Sequence, residues 1–141
     1  MSDYERLKIV VLDDAAGHHY LRVDPSTLEL RADSRCQDAD VFNVYPDGTS
    51  PGTKQIQWTG NGQFVVLRNG TNLLTADGSQ GDGNSEFTVV TGGGVPPAQL
   101  ALEATNQEVW DRQSDTTVVT EGSPAQNPMP SSSVLSFANA D

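Results

Sequence analysis

Trp110, Asp111 and Arg112 stand side by side and bring together a flat apolar ring, an acceptor-only carboxylate and a guanidinium donor fork. Such a set suits sugars, whose aliphatic ring faces stack on aromatic rings while their hydroxyls exchange hydrogen bonds with polar side chains. The Pro-rich stretch GSPAQNPMPSSS from Gly122 lies close behind and would wall such a site, adding the amide of Asn127. Two plainer roles compete with this reading. The tryptophan can fill part of a core, and the stretch carries so little apolar area that it can be a loose insertion.

Other residues offer weaker chemistry. His18 and His19 follow Asp13 and Asp14 and could be pictured as a carboxylate-oriented base. Adjacent strand residues point to opposite faces, so one histidine at most serves a given site, and no nucleophile stands beside them. The segment DGSQGDGNSE, from Asp77 to Glu86, is glycine-rich and acidic, as calcium loops are, with Asp77, Asp82, Asn84 and Glu86 as candidate ligands. Its spacing departs from the EF-hand, which favours a solvated turn and no metal. Gly92-Gly93-Gly94 lacks the lysine of a phosphate loop and reads as a linker, and Cys36 sits in SRCQD without a catalytic pattern. No catalytic set is recognisable, and no pattern calls for a cofactor.

The elements that must position these residues come in copies. GHHYLRVDPSTLELRAD from Gly17 is repeated in blurred form as GQFVVLRNGTNLLTAD from Gly62 and NQEVWDRQSDTTVVTEG from Asn106. Taking the second strand of each hairpin to start at Leu28, Leu73 and Val118 gives a constant interval of 45 residues, and Arg22, Arg68 and Arg112 close the strand before it. Aligned in this way, Asp111 faces Leu21 and Leu67, and Trp110 faces Tyr20 and Val66. A carboxylate at a position that is apolar in both sister copies must reach solvent, a cation or a ligand. Later strands carry DVFNVY, EFTVV and SVLSF, and each copy is preceded by an apolar-rich segment, LKIVVL, KQIQW or AQLALE. The apolar residues alternate or run in short blocks between Asp-Pro, Asn-Gly and Gly-Gly, which predicts four short strands per copy and no long helix. DPST at Asp24 and NGT at Asn69 are read as tight hairpin turns, the latter with two residues. A β-sandwich would also yield short strands, but it would not require a threefold repeat.

Three four-stranded units, at about 6–50, 51–94 and 95–141 within one domain spanning 1–141, resemble the β-trefoil: an all-β fold with three four-stranded repeats around a pseudo-threefold axis. Within that family, Gly17, Tyr20-Leu21, Leu30-Arg31-Ala32-Asp33 and Phe42-Asn43-Val44 are similar to the pattern of the fascin-like group. So are Gly62, Val66-Leu67, Leu74-Thr75-Ala76-Asp77 and Phe87-Thr88-Val89. The ricin-type marker Gln-x-Trp is missing at both Trp58 and Trp110. The resemblance to fascin-like fungal lectins implies a carbohydrate-binding protein without catalytic activity, taking a glycan or another small polar ligand. Two alternatives come with the fold: a protease inhibitor acting through an exposed loop, with a protein partner, or a fascin-like actin-binding module.

Charge discriminates among partners. Eight basic and 19 acidic residues give a net charge of −11, which repels nucleic acid, anionic lipid and the acidic actin filament. The single cysteine forms no internal disulfide, no run of apolar residues reaches the length of a bilayer span, and the acidic, polar start MSDYERLKIVV differs from a secretory leader. The resulting expectation is a cytoplasmic protein with no membrane partner.

Overall fold

A computed structural model describes residues 4–46 and 52–140. The boundary drawn between the first two units, at residues 50 and 51, lies outside the described residues. Short apolar-rich segments, some alternating in burial and some buried throughout, form twelve strands among them: β1 (Glu5–Val11), β2 (Tyr20–Val23), β3 (Leu30–Ser34), β4 (Phe42–Pro46), β5 (Thr53–Trp58), β6 (Phe64–Leu67), β7 (Leu74–Gly78), β8 (Phe87–Val90), β9 (Ala101–Glu103), β10 (Trp110–Arg112), β11 (Val118–Thr120) and β12 (Leu135–Asn139). The only helical pieces among the described residues are single 3-10 turns at Cys36–Asp38, Gly83–Ser85 and Ser131–Ser133. None is long and apolar enough to cross a membrane.

Six strands close on themselves. β1 pairs with β4, β4 with β5, β5 with β8 and β8 with β9, all antiparallel, and β12 returns to β1. The last joint, between β9 and β12, is a bridge at Leu100 and Leu135 with reciprocal N–H to O=C bonds of 3.1 and 2.7 Å. Closure leaves this barrel without a free edge, so its backbone polar groups are paired internally. The other six strands form the hairpins β2–β3, β6–β7 and β10–β11.

The hairpins meet in a ring of backbone hydrogen bonds. Ala76 N–H donates to Leu28 O at 2.9 Å, Ala32 N–H to Thr116 O at 2.8 Å, and Thr120 N–H to Asn72 O at 2.9 Å. Donors and acceptors each recur at 44 residues, so every hairpin gives one bond to a neighbour and takes one from the other. This is the pseudo-threefold arrangement expected of a β-trefoil.

The core is stacked in matching triplets. Leu30, Leu74 and Val118 form one, Leu21, Val65 and Trp110 another, and Phe42, Phe87 and Leu135 a third, each residue no more than 1% exposed. These equivalences correct the sequence alignment. β3, β7 and β11 begin 44 residues apart, at Leu30, Leu74 and Val118, whereas Leu28 lies in the preceding loop at φ 62°. The cause is loop length. Asp24 pairs with Glu29 and Arg68 with Leu73 around four residues, whereas Gln113 pairs with Thr117 around three. The Asn69-Gly70 turn is accordingly longer than the two residues expected, with Thr71 returning its N–H and its hydroxyl to Arg68 O.

Local turn chemistry repeats as well. In the matching loops Gly17, Gly62 and Gln107 take φ of 71°, 75° and 66°. The first two are glycine, which enters the left-handed region at no steric cost, while the third copy strains a side-chain-bearing residue there. We expect Gln107→Gly to raise stability by about 0.5–1 kcal/mol and Gly62→Ala to lower it by about 1 kcal/mol in denaturant titrations.

Two hairpin loops carry carboxylates held below their ordinary range, Asp24 chiefly by the Ser26 N–H and Asp115 chiefly by the Thr117 hydroxyl and then the Thr117 N–H. A carboxyl group whose folded pKa lies below its unfolded value stabilises the fold fully above the unfolded value, about pH 4, and loses that contribution as pH falls through the folded one. The variant combining Asp24→Asn and Asp115→Asn should therefore lose stability less steeply than the native chain between about pH 5 and pH 2, measured by denaturant midpoint.

Candidate functional site

The Trp110 ring is not presented to solvent. Trp110 is 0% exposed and meets Phe87 edge-on, with centroids 4.9 Å apart and planes at 83°. This corrects the expectation of a stacking platform: Arg112 pairs with Val118 as Leu67 does with Leu74 and Val23 with Leu30, so Trp110 matches the core residues Leu21 and Val65 and its indole fills volume at the hairpin end of the barrel. Its Nε1 is buried without a hydrogen-bond partner among the described residues, a cost tolerated for the area the ring buries.

The same shift reassigns its neighbours. Asp111 matches Arg22 and Val66, and it ties down the 3-10 turn before β12, accepting from Ser132 Oγ at 2.6 Å, Ser133 Oγ at 2.7 Å and Gln113 Nε2 at 2.8 Å. Arg112 is the real departure, standing where the sister repeats bury Val23 and Leu67. Its Nε donates to Ala32 O at 3.0 Å, and its Nη1 lies 3.4 Å from Asp13 Oδ2. Asp13 in turn holds His19 Nδ1 at 2.5 Å, so one carboxylate spans a guanidinium and an imidazole that are both largely covered, with side chains 17% and 20% exposed. His18 stays exposed beside Asp14. The histidine, its carboxylate and Arg112 thus join the first repeat to the third, with no nucleophile in the group.

Asn127 is exposed on the Pro-rich stretch, apart from Trp110's buried ring. That stretch is anchored, not loose. Met129, 5% exposed, enters a second apolar cluster with Val95, Ala101, Val109 and Val134, and Met129 N–H donates to Gly94 O at 3.0 Å. Gly94 permits the approach, since a Cβ there would lie 2.1 Å from Gln126 O. The triglycine is therefore a seat for this loop as well as a connection between units.

The remaining motifs fall into place as structure. Exposed Cys36 opens the first 3-10 turn, and the Tyr20 hydroxyl is held above its usual pKa by burial first and by its bond to Cys36 second. In the acidic loop, Asp82 Oδ1 accepts from Asn84 N–H at 2.9 Å and caps the turn Gly83–Ser85. Among the described residues, no group of three or more His, Cys, Asp and Glu side chains is placed to hold a metal ion.

Comparing the three repeats exposes a feature the one-by-one reading of motifs missed. Asp33, Asp77 and Glu121 are equivalent, and each faces a different partner. Asp33 is closed by a two-pronged ion pair with Arg22, at 2.7 and 3.0 Å. Glu121 takes Gln113 Nε2 at 3.2 Å. Asp77 has Val66 where the first repeat has Arg22, and among the described residues its side chain receives only the Thr75 hydroxyl, at 2.8 Å. A cleft of about 320 Å³ opens there, floored by Val66, Leu67 and Leu73 and rimmed by Arg68, Asn69, Asp77, Asp82 and Asn84. Glycine at residue 78 makes room for the Val66 side chain, since a Cβ there would sit 2.1 Å from Val66 Cγ1. The Arg68 guanidinium has no hydrogen-bond or ion-pair partner among the described residues, and the second oxygens of Asp77 and Asp82 take none either. Asn84 bridges the rim, donating to Asn69 Oδ1 at 2.7 Å and accepting from Thr105 Oγ1 at 2.8 Å. The signal was present in sequence as Val66 opposite Arg22, but only the 44-residue register aligns them.

No protein-family model and no curated protein sequence matches the chain. Solved structures do. A Caenorhabditis elegans structural-genomics protein of unknown function superposes with a TM-score of 0.76 at 13% identity, over 100% of this chain and 97% of that one. ThreeFoil, a designed threefold-symmetric protein, superposes with a TM-score of 0.71 at 12% identity, over 95% of this chain and 98% of its own. The fold is a β-trefoil. At these identities the likeness speaks for the fold alone, and neither neighbour points to the fascin-like group.

Trp110→Ala in this trefoil should cost about 3–5 kcal/mol by denaturant unfolding, as for a large core side chain. A solvent-facing tryptophan would leave the midpoint nearly unchanged.

Proposed function

We propose that this β-trefoil is a non-catalytic carbohydrate-binding protein whose binding surface is the cleft of its second repeat. The observation that carries the reading is the unfilled partner position at Asp77: the first repeat closes the equivalent carboxylate with Arg22, whereas here an apolar floor lies beneath an unpaired guanidinium and two carboxylates with free acceptor oxygens. Sugars need this combination, because their C–H faces lie on apolar surface while each hydroxyl both donates and accepts. The cleft's volume lies at the small end of ligand sites, as befits one or two sugar rings. Anchoring by the closed barrel and by the Asn69–Asn84–Thr105 contacts fixes the rim before a ligand arrives, which lowers the entropy lost on binding.

A second reading, recognition of a protease or other protein partner, is supported by the Pro-rich loop. It is pinned at Met129 while Ala125, Asn127, Pro128 and Pro130 remain exposed, so it would lose little freedom on docking.

A panel of immobilised mono- and oligosaccharides should retain the native chain, and Val66→Arg should weaken that retention at least ~10-fold while shifting the melting temperature by only a few degrees. The substitution recreates the Arg22–Asp33 pairing in the second repeat and fills the cleft. If the native protein is retained by no sugar, or the filled variant binds as before, the proposal fails.

A further inference from the structure

Resting on that reading of the cleft, we infer that it selects sugars bearing a free amine. The rim holds one cation, Arg68, and two carboxylates, Asp77 and Asp82, with neutral amides and a hydroxyl from Asn69, Asn84 and Thr71 between them. The excess is one negative charge, set on a chain of net charge −11. Ionised carboxylates only accept hydrogen bonds, so what they lack is a donor, and a charged donor makes the shorter and stronger bond.

The pseudo-symmetry shows which donor completes the position. In the first repeat the carboxylate equivalent to Asp77 is met by N–H groups of a cation, at 2.7 and 3.0 Å. With Val66 in Arg22's place, the second repeat leaves that cation to be supplied from outside. A protonated sugar amine is small enough to enter beside Asp77 while the ring lies over Val66 and Leu67. Arg68 then takes ring or hydroxyl oxygens. A uronic acid would instead bring a third carboxylate to two existing ones, with only Arg68 to offset it. A neutral hexose makes the hydroxyl contacts but leaves both carboxylates without a cationic partner.

The test is a calorimetric titration of the full chain with glucose, glucosamine, N-acetylglucosamine and glucuronic acid at about pH 6, where the amine is protonated. Glucosamine should bind about three- to tenfold more tightly than glucose or N-acetylglucosamine, with glucuronic acid weakest. The advantage should shrink as salt is raised. Asp77→Asn together with Asp82→Asn keeps size but removes the charge, so it should bring the affinities for glucosamine and glucose to the same value. Equal affinity for glucose and glucosamine, a preference for glucuronic acid, or an amine preference that survives the double substitution would overturn the inference and leave the carbohydrate reading intact. Failure of all four sugars to bind would overturn both.

Discussion

Three backbone hydrogen bonds, from Ala32, Ala76 and Thr120 to the last residue of a neighbouring hairpin loop, hold this molecule in its form. Each hairpin alone would leave one edge unpaired, and an unpaired backbone group under a cap of apolar side chains is expensive. The only arrangement that satisfies all three with one local geometry is a closed ring. Barrel closure at Leu100 and Leu135 meets the same requirement at the level of strands. Once both rings are closed, side chains at equivalent positions must share one layer, and their summed volume, more than their individual identity, becomes the constrained quantity.

That constraint explains how the repeats could diverge so far. A layer of Leu21, Val65 and Trp110 tolerates one large member because two smaller ones face it. Arg112 replaces an apolar residue at the layer's margin, and the change is tolerated because Ala32's carbonyl and Asp13 receive its charge. The third repeat's novelty is thus spent on internal structure: a filled core, a pinned loop, a link to the first repeat. The second repeat diverges in the opposite sense. With Val66 where the first repeat has Arg22, it keeps the carboxylate of Asp77 at the surface without the ion pair that Asp33 makes.

Several features were legible from residues alone. Apolar alternation and turn residues marked the strands, and the near-constant interval marked the triplication, because one architecture imposes the same in-and-out pattern on each copy. Register within the hairpins was not legible. Choosing Leu28 and Leu73 as strand starts misplaced both sister alignments of Trp110 and Asp111, since loops of four, four and three residues move the strands by one or two positions without any change in composition. A slip of one residue exchanges inside for outside, so the sequence leaves both a core and a surface reading of Trp110 open.

The sequence by itself therefore determined the number of units, the all-β class and the acidic character of the surface, since these depend on local pattern and on sums. Only the tertiary structure decided that Trp110 is core, that Arg112 is held by Asp13 from another repeat, and that Asp77 stands open beside Val66. Those outcomes depend on which side chains from distant segments meet around the axis, and a pairing between repeats leaves no trace in the local order of either one.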